Sequence, residues 1–311
     1  YSYVGAPMMR FFIINFYNDN RVVEFEKEQA EEGYLLVGEK DYPHIAGKYS
    51  DKYKFTDIYV IIVIYNKNYK KSKTVNKLKE IDGLNLIVVD NSTKDYKNET
   101  LSMVKNCSYI NMQGNKGLPK AYNAGLKSIE NKEAKLICIF DDDSSVEIDY
   151  FDKALSCINS TNGDIFVPIV KDQIGILSPL IMKNLYGHRA KDISMLNSNN
   201  ISAINSGMII KGEIFNDYKY DENMFLDFVD HDFIRTMKKI NKTIIIMKNN
   251  ILIQDFSLVS DSLIQAKNRF KILKKDLKYF YRDHVYYYYY IINKHKLGLC
   301  YYQKSFKPIF W

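Results

Sequence analysis

Short runs of β-branched and aliphatic residues alternate along the chain with stretches of helical periodicity, most regularly between residues 57 and 253. Residues 58–65, 84–89 and 136–140 are near-continuous apolar runs, the pattern of strands buried on both faces, whereas 70–81 and 120–129 have helical character. Alternation of this kind predicts an α/β fold with a mostly parallel sheet and crossover helices, and in such sheets ligands gather at the carboxyl ends of the strands. Ahead of it, residues 10–17 and 34–37 read as strands and 23–32 as a helix ended by Gly33, before a turn-rich 41–50. Three regions are therefore expected: a small α+β appendage over 1–55, the α/β domain over 56–260, and a mainly helical region over 261–311.

Composition adds bounds. With 311 residues and 46% hydrophobic content, the chain can bury a full core and carry an appendage. Cys107, Cys138, Cys157 and Cys300 show no metal-ligand spacing and no secretory-leader pattern opens the chain, so a reducing, cytoplasmic setting is expected. The longest apolar run, 58–65, falls far short of the roughly 20 residues that span a bilayer.

Charge changes the picture more. Residues 265–311 hold 11 Lys and Arg against 2 Asp, leaving 33 basic and 35 acidic residues elsewhere, so the whole net charge of +7 comes from the tail. There Phe270, Leu273, Leu277, Phe280 and His284 recur at helical spacing, Lys267, Lys271, Lys274, Lys275, Lys278 and Arg282 occupy the other faces, and an aromatic block, 286–290, comes next. A basic amphipathic helix beside an aromatic belt suits an anionic membrane surface. The same stripe would equally serve to pack the helix on the main domain. Nucleic acid would use similar residue types, but nothing else in the chain supports it.

Candidate chemistry sits at the strand ends. The first strand runs into Tyr65-Asn66-Lys67-Asn68, the second into Asp90-Asn91-Ser92, and the central one into Asp141-Asp142-Asp143. Three adjacent carboxylates repel one another and resist burial unless a hard divalent cation, Mg²⁺ or Mn²⁺, neutralises them and bridges to substrate phosphates. A solvated loop cap would account for an aspartate run taken alone, but not for polar ends on three successive strands. Between the second and central strands, Asn115-Lys116-Gly117 leads into a helix beginning near Pro119, and that N-terminus could face an anion. A second acidic cluster, Asp227, Asp230, His231 and Asp232, lies further on and would also suit an acidic helix N-terminus.

Taken in order, these motifs resemble the inverting nucleotide-sugar glycosyltransferases of family two, with the GT-A fold, in their rhamnosyltransferase-like or galactofuranosyltransferase-like branch. The resemblance covers residues 57–255. It implies that Tyr65, Asn66 and Asp90 contact the nucleotide, with Asp90 on the pyrimidine base, and that Asn115, Lys116 and Gly117, followed by Ala121, Asn123 and Gly125, line the nucleotide. It further implies that Asp143 and Asp141 hold the metal, with Asp141 nearer the ribose, and that Asp142, Asn205, Ser206 and Gly207 shape the donor and acceptor pocket. Asp230 becomes the general base, and Asp227, His231 and Asp232 neighbours of the acceptor. One departure stands out: where many members carry a histidine after the last strand, this chain has Gln254 and Asp255.

The expectation is a metal-dependent inverting transferase that moves a sugar from a UDP- or dTDP-sugar to a hydroxyl of a lipid-linked glycan in bacterial surface polysaccharide synthesis, at the inner face of the cell membrane. A sugar nucleotidyltransferase would also place aspartates at strand ends, but it ordinarily carries a glycine-rich loop where this chain has Asn66-Lys67-Asn68-Tyr69. A non-catalytic glycan-assembly protein would not be expected to keep Asp90, Asp143 and Asp230 together. His188 and Arg189 open a stretch reaching Asn200 that reads as a flexible loop, able to serve as a lid.

Overall fold

The seven-residue run Ile58–Ile64 (β1) is aliphatic at every position but Tyr59, and it lies at the centre of the main sheet. It pairs in parallel with Asn85–Asp90 (β2) on one side and Leu136–Asp141 (β4) on the other, and Cys107–Asn111 (β3) continues the parallel array beyond β2. Past β4 comes Met208–Lys211 (β10), antiparallel to both neighbours, then Ile165–Asp172 (β5) and Ile244–Ile253 (β11), which run parallel to each other. Gly175–Ser178 (β6) folds back on β5 and completes an eight-stranded sheet. Leu180–Lys183 (β7), Tyr186–Arg189 (β8) and Ile201–Ser202 (β9) form a separate antiparallel sheet in the order β8-β7-β9. This computed structural model describes residues 53–254 and 263–311, within a unit spanning Tyr53–Trp311. The elements expected over residues 10–37, and Asp255, lie outside the described residues.

Alternation along β1 sends its side chains into two cores. Ile58, Val60, Ile62 and Ile64 pack with Val75 and Leu78 of Lys73–Leu78 (α1) and with Tyr150, Phe151, Ala154 and Ile158 of Tyr150–Ser160 (α3). Ile61 and Val63 pack with Ala121, Tyr122 and Leu126 of Leu118–Lys127 (α2) and belong to the same cluster as Phe233, Ile234 and Met237 of Val229–Lys239 (α5), which comes after the single-turn helix Ile214–Asp217 (α4). Each fully buried aliphatic side chain contributes about 1.5–3 kcal/mol, so this central strand alone is a large part of the driving force. The helix expected over 70–81 is shorter: a 3₁₀ turn at Tyr69–Lys71 precedes α1, whose start is set by Ser72 accepting from Val75 N at 3.1 Å.

One reading of the sequence is decided between its two alternatives, and another is corrected. Leu263–Phe280 (α6) carries the expected apolar stripe, but Phe270 (1% exposed), Leu273, Leu277 (0%) and Phe280 join the α2–α5 core, leaving the lysines in solvent. Packing takes the face that the charge pattern offered to a membrane, and exposed aromatics gather instead on Val285–Tyr302 (α7). The stretch 188–200 is not a loose loop. His188 and Arg189 lie in β8, Arg189 makes a two-pronged ion pair with Asp172 at 2.8 and 2.6 Å, and 3₁₀ turns at Ile193–Met195 and Ser198–Asn200 complete the passage to β9. That pair holds the Asp172 carboxyl down at about 2.

Candidate active site

Register brings the strand ends together: Ile64 lies beside Asp90 and Val63 beside Asp141, so the polar residues after β1, β2 and β4 gather at one edge of the sheet. Sheet order reverses here, because β2 lies on one side of β1 and β4 on the other. A crevice at such a switch point is where an open α/β sheet binds ligands.

Asp90 is buried at the end of β2. Its Oδ1 accepts from Ser92 N at 3.0 Å, and its Oδ2 from Asn98 Nδ2 at 2.8 Å and Tyr109 OH at 3.1 Å. A carboxylate offers about four acceptor directions, so one remains for a ligand donor. Beside it opens a cavity of about 170 Å³ lined by Asp90, Ser92, Thr93, Tyr109, Asn111 and Gln113 among others. Asn66, at φ 48°, is tied to two of the lining residues: its backbone N–H donates to Ser92 Oγ at 2.8 Å and its Oδ1 accepts from Thr93 N at 2.9 Å. Tyr65 is half-exposed beside it.

Asn115, Lys116 and Gly117 are tied to β2 by Asn91. Asn91 Oδ1 accepts from Lys116 N at 2.8 Å, its Nδ2 donates to Asn115 Oδ1 at 3.1 Å, and Gly117 N donates to that same oxygen at 3.1 Å. Gly117 sits at φ +91°, where a Cβ would meet Phe225 O at 2.8 Å, so only glycine fits.

The three aspartates after β4 have different fates. Asp142 pairs with Lys67 Nζ at 3.0 and 2.9 Å, although burial still raises its pKa. Asp141 accepts from Gln254 Nε2 at 2.9 Å, and that amide also reaches Asp143 at 3.5 Å. Burial first, then the charge of Asp143, push Asp141 up to about 7 against the opposing hydrogen bond from Gln254, and Asp230 and Asp142 add further repulsion. Thr74 Oγ1 and Ser72 Oγ, each donating at 2.6 Å, fasten the backbone carbonyls of Asp141 and Asp142 to the start of α1.

Asp230 lies in the first turn of α5, where its charge is felt by Asp141 and by the buried Tyr122, whose hydroxyl burial holds well above its ordinary range. Its Oδ1 accepts from His231 N at 2.7 Å. His231 is turned to the smaller sheet, with Nδ1 2.7 Å from Ser202 Oγ. Asp232 pairs with Arg235, and Asp227 with Arg269 at 2.9 Å; Asp227 Oδ2 is left buried without a partner. Asn205 and Ser206 are buried behind β4, Ser206 sharing a 2.6 Å hydrogen bond with Ser144 and Asn205 keeping an unpartnered Oδ1. Gly207, at φ +76°, donates to Ile139 O at 2.7 Å where a side chain would strike Leu252 and Tyr150.

Asp90 lines the cavity, and Asp141, Asp143 and Asp230 form a second group in which the charges of Asp143 and Asp230 both act on Asp141, whereas Asp142, Asp232 and His231 are engaged in the surrounding scaffold. Sequence reasoning missed Asn98 and Tyr109, which orient Asp90, and Tyr122, whose signal lay inside the Ala-Tyr-Asn segment. Among the described residues no group of three or more His, Cys, Asp or Glu converges as a ready-made metal centre. The donor set still suits a hard cation: two neighbouring carboxylates, Asp141 with its pKa raised by burial first and by the charge of Asp143 second, beside a buried Gln254 Oε1 that lacks a partner among the described residues. Mg²⁺ commonly takes only one or two protein carboxylates and completes its shell with substrate phosphates and water.

Fold and strand ends define an α/β domain with polar residues gathered at the carboxyl edge of its sheet. Residues 59–245 match the profile of Glycosyl transferase family 2, and the chain belongs to that family. Among curated proteins it is similar to the dTDP-rhamnosyl transferase RfbF of Shigella flexneri, 29% identical over 57% of this chain, and the match spans 62% of that relative's length. Among solved structures, GalNAc-T7 with UDP, GalNAc and Mn²⁺ superposes with a TM-score of 0.52 at 13% identity, over 72% of this chain and 49% of that one, and shares the fold. S. aureus TarS 1-349 in complex with UDP-GlcNAc aligns over 71% of this chain and 65% of that one, with a TM-score of 0.47 and 18% identity.

A folded-state pKa near 7 on Asp141, well above its unfolded value, means that the folded protein binds a proton the unfolded chain has released between about pH 4 and 7. That proton's contribution to stability is present at low pH and lost as pH rises through 7. Asp141→Asn removes the repulsion while keeping an acceptor for Gln254. It is expected to stabilise the ligand-free protein by on the order of 3 kcal/mol above pH 7, a gain that shrinks toward zero near pH 4. Thermal unfolding of both proteins across pH 4–8 measures this, and a constant difference would contradict it.

Proposed function

We propose that the protein is an inverting nucleotide-sugar glycosyltransferase that passes a sugar from a UDP- or dTDP-sugar to a hydroxyl of a lipid-linked glycan, using Mg²⁺ or Mn²⁺. The observation that supports this reading is that β2 and β4 end in Asp90 and Asp141 on either side of β1, with the charges of Asp143 and Asp230 felt at Asp141, in a member of Glycosyl transferase family 2. Asp90 would accept from N3–H of the pyrimidine through its remaining lone pair, and uracil and thymine share that edge. Asn115, Lys116 and Gly117 would flank the diphosphate beside the N-terminus of α2. Asp141 and Asp143 would hold the cation, which supplies charge neutralisation to the departing diphosphate.

The remaining chemistry belongs to the chain. Asp230 takes the proton from the acceptor hydroxyl as that oxygen attacks the anomeric carbon, the C–O bond to the diphosphate breaking on the opposite face. Asp227, with one oxygen on Arg269 and the other buried and unpartnered among the described residues, would support the acceptor side of the site from beneath. The rhamnosyl transferase relative supports a dTDP-sugar among the possible donors. If Asp230 is the base, Asp230→Asn lowers turnover about 10²- to 10⁴-fold while nucleotide affinity stays within about twofold. Wild-type turnover in that variant would remove Asp230 from the role.

Association with the inner face of the membrane belongs to α7 and the C-terminal residues after it, not to α6. Tyr286, Tyr289, Tyr301, Tyr302, Phe306 and Phe310 are exposed, and residues 285–311 include Lys294, Lys296, Lys304 and Lys307 but no acid. Interfacial aromatics with interspersed lysines suit an anionic headgroup layer, each lysine adding about 1 kcal/mol near the surface. Among the described residues no helix is long and apolar enough to cross a membrane. Co-sedimentation with phosphatidylglycerol vesicles is expected to fall sharply when Tyr286, Tyr301, Phe306 and Phe310 are all replaced by serine in a folded protein; unchanged binding would overturn the assignment.

A further inference from the structure

The loop leading into α5 is held from two directions, and one holder is a carboxylate that belongs to none of the strand-end or helix-end motifs. Asp276 lies on α6 and is 0% exposed, among Phe270, Leu273, Leu277 and Phe280 on the inward face of that helix. A buried carboxylate is costly unless its oxygens are filled, and an aliphatic residue would serve packing better at such a position. Here the oxygens are filled by three consecutive backbone donors. Asp276 Oδ1 accepts from Phe225 N at 2.9 Å, and Oδ2 from Leu226 N at 2.8 Å and Asp227 N at 2.9 Å. Among the described residues no ion pair reaches it, so its charge is balanced by backbone dipoles alone. Arg269, two turns earlier on α6, pairs with the side chain of Asp227.

The second holder is the nucleotide loop. Leu118 N donates to Phe225 O at 2.7 Å, next to the Gly117 position that a side chain could not occupy. The peptide groups of Phe225 are therefore fastened to α2 on one side and to α6 on the other. Immediately afterwards Phe228 is forced to φ 66°, an unfavourable conformation for a bulky residue that persists only where surroundings over-determine it. Its ring packs against Phe280 at 5.0 Å, again on α6, and Asp230 is two residues further on.

We propose that Asp276 is the positioning residue of this site: it fastens the 225–227 backbone, so fixing where α5 begins and where Asp230 stands relative to the aspartates after β4. The inference rests on Asp230 being the base. Three anchored amides in a row fix both the rotation and the translation of the loop, and a displacement of the base of about 1 Å is enough to cost about 10²-fold in rate.

The test uses the full chain and its variants Asp276→Asn, which keeps the shape but offers one oxygen in place of two, Asp276→Ala, Asp230→Asn, and the Asp230→Asn/Asp276→Asn pair. Three quantities are measured: hydrogen exchange of amides 225–233, calorimetric affinity for UDP and dTDP with Mn²⁺, and nucleoside diphosphate release from UDP-GlcNAc and dTDP-rhamnose with water as acceptor. In Asp276→Asn, amides 225–227 are expected to exchange at least about tenfold faster and turnover to fall about 10²-fold, with nucleotide affinity within about twofold. In the Asp230→Asn background, Asp276→Asn is expected to bring no further loss, since it acts through that group. Unchanged exchange and turnover in Asp276→Asn and Asp276→Ala, or a full additional loss in the pair, would overturn the proposal. Wild-type turnover in Asp230→Asn alone would instead defeat the base assignment, while the exchange result still decides whether Asp276 fastens the loop.

Discussion

Negative charge crowded at adjoining strand ends is the constraint around which this domain is arranged. The register of β1 with β2 and β4 sets Asp90 and Asp141 on either side of one strand end, and α5 adds the charge of Asp230. Like charges in a partly desolvated crevice are tolerated only if something opposes them, and the chain opposes each differently. Asp90 is held by Asn98, Tyr109 and a backbone amide, Asp142 by Lys67, and Asp232 by Arg235. Among the described residues Asp141 and Asp143 have only the amide of Gln254, which leaves Asp141 near 7.

The C-terminal helices belong to the same arrangement. Burying the α6 stripe against the core places Asp276 and Arg269 beside the loop that precedes α5, and Phe280 beside the strained Phe228. Packing energy gained on one face of α6 thereby supports an unfavourable backbone conformation on the other side of the contact. With that helix inward, the lysines of α6 and the aromatics of α7 remain at the surface.

The central strands β4, β1 and β2 were legible because continuous β-branched and aliphatic runs such as Ile58–Ile64 have few alternatives to a doubly buried strand. β3 was missed because Cys107–Asn111 is short, half-exposed and without clear alternation. The antiparallel insertion of β10 was unreadable too, since four apolar residues carry no sign of their direction. Asp90, Asp141, Asp143 and Asp230 stood out because carboxylates at strand and helix ends have no packing role to explain them. Tyr109 and Asp276 did not, because their value lies in a partner 19 residues away in one case and 49–51 in the other. Periodicity found the apolar stripe of α6 correctly, yet spacing alone cannot say whether protein or lipid covers it.

The most direct test of a donor site built on these aspartates is calorimetric titration of UDP, dTDP, GDP and CDP, each with Mn²⁺ and with EDTA, into the wild type and Asp143→Ala. The account requires metal-dependent binding of UDP or dTDP that disappears in the variant. Binding by none of the four, or binding indifferent to both metal and Asp143, would contradict it.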